Sequence, residues 1–114
     1  MLDIHICFKK GILFVKLDGV LDGTTTNKLY QEVTSLVSEN RIRNLVFNVS
    51  NLNLIDEKGI KSLMQNYYIS SKNEGHSLLC GINNNIKNKI ENSSLLKYML
   101  KTDNELDAIR LLEG

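Results

Sequence analysis

The run NLVFNV, Asn44 to Val49, constrains the fold more than any other stretch of the chain. Its apolar centre, Leu45-Val46-Phe47, is unbroken, as expected of a strand covered on both faces. On either side the spacing becomes helical. From Thr24 to Asn40, Leu29, Val33, Leu36 and Val37 form a stripe from which Lys28, Gln31, Glu32 and Glu39 are absent. After the strand, Ile60, Leu63, Met64 and Tyr67 repeat at helical spacing in a helix that ends near Asn73.

The rest of the chain extends this alternation. LDIHICF sets Leu2, Ile4, Ile6 and Phe8 against Asp3, His5 and Cys7, the period of a half-buried strand. Lys9-Lys10-Gly11 turns into ILFVKLD, its expected hairpin partner. Gly75 and His76 lead to a short strand from about Ser77 to Ile82; Ile86 and Ile90 suggest a third helix, Tyr98 to Lys101 an edge strand, and Leu106, Ile109 and Leu112 a last helix. The order is ββαβαβα(β)α. Strands joined through single helices imply right-handed crossovers and parallel pairing, while the first hairpin adds an antiparallel edge. The chain therefore reads as one α/β domain over residues 1–114, with a mixed, mostly parallel sheet of four to five strands and about four helices. No internal repeat or linker interrupts it.

Composition narrows the possible partners. A net charge of +1 gives no general field for nucleic acid or anionic lipid. Lys87, Lys89, Lys97 and Lys101 are interleaved with Glu91 and Asp103 and have no aromatic platform beside them, so they read as a solvated face. No signal peptide is recognisable, and no window approaches the ~20 apolar residues of a membrane span. A cytoplasmic protein without membrane insertion is expected. Cys7 and Cys80 are far apart in strand-like surroundings and are expected to be reduced and buried.

Few residues suggest chemistry. There is no phosphate loop, because Gly19-Val20-Leu21-Asp22-Gly23 lacks the required spacings. His5, expected on a sheet face, and His76, expected in an exposed turn, have no metal-ligand spacing with a carboxylate or thiol. Asp18, Asp22, Asp56 and Glu57 fall near strand ends, where α/β folds place ligands, but no nucleophile accompanies them. No catalytic residue, metal or cofactor is expected. Asp18 reads as a strand-end charge, Asp56 as the N-cap of the helix beginning at Glu57, and Thr24 to Thr26 as caps of the first helix. Lys58 is the anomaly, a cation in the first turn of a helix, where the dipole disfavours it by a few tenths to ~1 kcal/mol. Glu57 can offset that by pairing with Lys61.

GVLDGTTTNKL (Gly19 to Leu29), NLVFNVSNLNLIDEKGIKSLM (Asn44 to Met64) and the closing SLLKYMLKTDNELDAIRLL resemble STAS domains, in particular bacterial anti-sigma factor antagonists. In that family the start of the second helix commonly reads Asp-Ser-Ser-Gly, and a partner kinase phosphorylates the second serine. Asp56, Glu57, Lys58 and Gly59 stand there in this chain, so the resemblance puts Lys58 at the phosphoacceptor position. It implies a non-enzymatic module that binds an ATP-binding anti-sigma factor of the histidine-kinase-like fold and releases sigma factor, without the usual phosphorylation switch. The implied partner surface comprises Asp22, Gly23, Thr24, Asp56, Glu57, Lys58, Lys61 and Ser62, with Ser62 and Ser50 as alternative phosphorylation sites. Other readings are a subunit of a stressosome-like scaffold or of a lipid-transporting ABC system, and an enzyme or small-ligand binder anchored on Asp22 and Asp56. The domain is expected to be a monomer or a weak homodimer.

Overall fold

The computed structural model describes residues 1–113. β1 (Leu2–Lys9) and β2 (Ile12–Leu21) form an antiparallel hairpin. Lys10 and Gly11 both have positive φ, 55° and 75°, as a two-residue type I′ turn requires. The first helix, α1, covers residues 26–39 and combines an α-helical turn (Thr26–Leu29), a π turn (Tyr30–Thr34) and a second α-helical segment (Ser35–Glu39). Then come β3 (Asn44–Ile55), α2 (Glu57–Lys72), β4 (Ser77–Cys80), α3 (Lys87–Glu91), a 3-10 turn (Leu95–Lys97), β5 (Leu100–Thr102) and α4 (Glu105–Glu113).

The five strands lie in the order β1-β2-β3-β4-β5, parallel from β2 onward. Because each crossover moves the chain one strand in the same direction, right-handed connections put α1, α2 and α3 on one face. There Leu13, Val15, Leu17, Leu45 and Phe47 pack with Leu29, Val33 and Val37 of α1, Ile60 and Leu63 of α2, and Ile86 and Ile90. α4 returns over the other face and seats Ala108, Ile109 and Leu112 on Ile12, Phe14, Val46 and Leu78. The continuous apolar run of β3 is thus buried from both sides, as its sequence predicts. A sequential strand order has no reversal, so the sheet lacks the switch-point crevice in which doubly wound folds bind ligands.

Several expectations need correction. β3 does not end at Val49 but continues to Ile55, so Ser50 lies within the strand. The pairing of β2 with β3 shifts register between Lys16 and Asp18 and again between Gly19 and Val20. Each extra residue on β3 breaks the alternation by which a strand is recognised. Asp18 is not a strand-end charge: β2 runs past it, and its Oδ2 lies 3.3 Å from Nε2 of His5 on the neighbouring strand. Cys80 is buried, but Cys7 is exposed, because it faces the side of β1 that α4 does not reach. None of Thr24 to Thr26 caps α1 through its side chain. The Thr25 hydroxyl instead lies 2.9 Å from the Val20 carbonyl, to which it donates, and accepts from the Asp22 N–H at 3.0 Å.

Candidate partner-binding surface

The C-terminal ends of β2 and β3 converge on the first turn of α2. Asp56 caps that helix as expected: its Oδ1 accepts from the Gly59 N–H at 2.8 Å. Its second oxygen accepts from the Gly23 N–H at 3.2 Å, tying the loop after β2 to the helix start. Within the loop, Asp22 Oδ1 accepts from the Thr24 N–H at 2.9 Å and from the Thr24 hydroxyl at 2.6 Å. Those bonds, the hydroxyl's first, hold the Asp22 carboxyl below its ordinary value of 3.8. Both carboxylates are thus engaged in fixing the backbone.

Gly59 brings the two elements together. A Cβ at this position would collide with the Leu21 carbonyl and lie 2.9 Å from Ile55 Cγ1. The first turn of α2 can press against the end of β2 only because residue 59 has no side chain. Next to it, Lys58 is exposed and lies across Gly23, with Cδ 3.0 Å and Nζ 3.7 Å from where a Cβ on that glycine would stand. The lysine stem covers the loop while the ammonium stays at the surface.

An open depression of about 520 Å³ results, lined by Asp22, Gly23, Thr24, Asp56, Glu57, Lys58 and Lys89. Six of the eight residues expected in a partner surface line it. Lys61 is exposed but one turn along α2, and the Ser62 hydroxyl donates to the Gly59 carbonyl at 2.6 Å. Among the described residues Glu57 and Lys61 form no ion pair. Lys89 joins the surface from α3. In sequence it was grouped with solvated lysines, since only the packing of Ile86 and Ile90 places that helix here.

Fold and site define a small, singly wound α/β domain that presents a prefolded loop-and-helix surface. The model for the STAS domain matches residues 3–109, and the chain belongs to that family. It is similar to the anti-sigma F factor antagonist of Paenibacillus polymyxa, with 26% identity over 112 residues, covering 98% of this chain and 96% of the relative. An anti-sigma factor antagonist from Mycobacterium paratuberculosis superposes with a TM-score of 0.89 at 19% identity, covering 100% and 96% of the two chains. The Bacillus cell fate determinant SpoIIAA in its phosphorylated form gives 0.73 at 14% identity, covering 97% and 99%. The chain is an anti-sigma factor antagonist-like STAS domain. Among the described residues, no helix is long and apolar enough to cross a membrane.

Proposed function

We propose that this domain is a non-enzymatic, cytoplasmic regulatory module that binds an anti-sigma factor of the histidine-kinase-like ATP-binding fold and so releases sigma factor. Docking uses the loop Asp22 to Thr24 together with Glu57, Lys58, Lys61 and Ser62 at the exposed start of α2. The observation that carries this reading is the position of Lys58, exposed at the head of α2 and lying across Gly23 in a loop fastened by Asp56.

In this reading Lys58 stands where the resemblance to the family implies the phosphoacceptor serine. A phosphoserine would bring ~−1.5 to −2 charges to a helix N-terminus. Lysine cannot accept phosphate as serine does and reverses the sign of the local charge, so binding is constitutive or set by abundance. Engagement of both nearby carboxylates in backbone hydrogen bonds supports binding rather than catalysis. Ser62, turned onto the Gly59 carbonyl, and Ser50, exposed on β3, remain the alternative phosphorylation sites.

The test is affinity capture of the tagged protein from its own host lysate, with Lys58→Ser in parallel and mass spectrometry for partners and phosphate. Recovery of an anti-sigma kinase with the wild type, and phosphate only on the introduced serine, is the expected result. Stressosome-like scaffold or ABC-transporter subunits in its place would assign the domain to a permanent assembly. Capture of neither class of partner would remove the antagonist reading.

A further inference from the structure

The outer edge of β1 carries features that point to a second copy of this chain. β1 is an edge strand of eight residues, paired with β2 in an uninterrupted register, with no bulge and no proline. Edges of this kind are templates for further pairing. On the helix-covered face, Ile6 is 40% and Phe8 58% exposed, because the core reached by Leu2 and Ile4 stops before them.

The backbone shows which groups are free. In a two-residue hairpin the residues flanking the turn, here Lys9 and Ile12, exchange hydrogen bonds, so alternate residues of β1 face β2. The Val20 N–H donates to the Met1 carbonyl at 2.9 Å, so the odd-numbered residues point inward at the far end as well. The outward groups therefore belong to Leu2, Ile4, Ile6 and Phe8. Of these, the Leu2 carbonyl already accepts from Lys28 Nζ at 2.6 Å, leaving Ile4, Ile6 and Phe8 as the open segment.

We infer that two copies of this domain pair antiparallel through their β1 edges, with Ile6 opposite Ile6 about a two-fold axis and the two sheets joined into one. Only this register uses all three open residues without displacing Lys28. It sets Ile4 opposite Phe8, so the exposed apolar row covers its own copy, and each of these pairs exchanges both backbone hydrogen bonds. On the opposite face it sets Asp3 against Lys9 at both ends of the contact. That pairing is complementary, and it relieves Asp3, which within one chain faces Asp18 across the hairpin. None of the pairing residues lines the depression over Gly23, so the contact is independent of partner binding there.

Sedimentation equilibrium over a concentration series tests the pairing, and a charge swap tests its register. The wild type is expected to move toward twice the monomer mass as concentration rises. Asp3→Lys, or Lys9→Asp, places like charges opposite each other at both ends and weakens the dimer by about tenfold; the double variant restores it. Both positions are exposed, and circular dichroism confirms that each variant is folded. In the same register residue 5 of one copy faces Cys7 of the other, so His5→Cys should form an intermolecular disulfide under mild oxidation, in larger yield than the wild type. A wild type that stays monomeric throughout, a dimer indifferent to the single charge reversals, or a double variant no better than the singles would overturn the inference.

Discussion

A Cβ at residue 59 has nowhere to go, because the Leu21 carbonyl is backbone and Ile55 is core. Gly59→Ala must push the head of α2 off β2, and about 2–3 kcal/mol of lost stability is expected from overpacking of this kind, read as a lower urea midpoint at unchanged slope. In sequence Gly59 was legible only as a match to a family motif; the close approach that demands it depends on where β2 ends. Cys80 carries a second prediction at this scale. Burial, and after it the charge of Glu105, pushes its thiol from the ordinary 9.0 up to about 12. A folded value above the unfolded one means that the contribution of Cys80 to stability is complete below about pH 9 and is lost as pH rises toward 12, since the unfolded chain releases its proton first. Between about pH 8 and pH 10 the wild type should lose roughly 1 kcal/mol more than Cys80→Ala, measured by urea unfolding of both proteins at each pH. Cys7 was expected to be buried on the same apolar neighbours as Cys80, but neighbours in sequence do not tell an edge strand from a central one.

The element that organises the surface is the first turn of α2, and Asp56 does two jobs there. It caps the helix through Gly59 and holds the preceding loop through Gly23. Asp56→Ala is expected to cost about 1 kcal/mol for the lost cap. Loss of the second bond should also increase amide exchange at Gly23 and Thr24, while β2 exchanges as before. Asp56→Asn separates the roles, since its amide oxygen can keep the cap while an NH2 group, a donor, replaces the oxygen that accepts from the Gly23 N–H. The cap could be read from sequence, because an aspartate stands directly before a helical stripe. The tie to Gly23 could not, because it spans thirty-three positions and depends on the parallel pairing of β2 with β3. The end of β3 was obscured for a different reason: its bulges put Ser50-Asn51 and Asn53-Leu54 in exposed pairs, and a strand with paired exposures looks like a loop.

Across the whole molecule the two faces of the sheet are unequally covered. Three helices bury one face around Leu13, Val15, Leu17 and Phe47, whereas α4 alone covers the other through Ala108, Ile109 and Leu112, two of them only partly buried. Alternation of strands and helices in the sequence sufficed to predict the parallel sheet and the position of the apolar β3, but not this asymmetry. A helical stripe shows that a helix docks without showing which face receives it, and Leu106, part of that stripe, proves 55% exposed. Segments with few buried apolar contacts open without global unfolding. α4 is held to the sheet by a small cluster and by the bond from Asn48 Nδ2 to Glu105 Oε2 at 2.8 Å. Its amides should therefore exchange through a sub-global opening, at lower free energy than those of β2 and β3. Ala108→Gly weakens the helix by roughly 1 kcal/mol and removes a buried methyl, so it should lower the free energy of this opening and that of global unfolding by the same amount, leaving the gap between them unchanged. Native-state hydrogen exchange in increasing urea distinguishes the cases. If the α4 amides merge with those of β2 at every denaturant concentration, the last helix is part of the cooperative core and the face it covers is as firmly closed as the other.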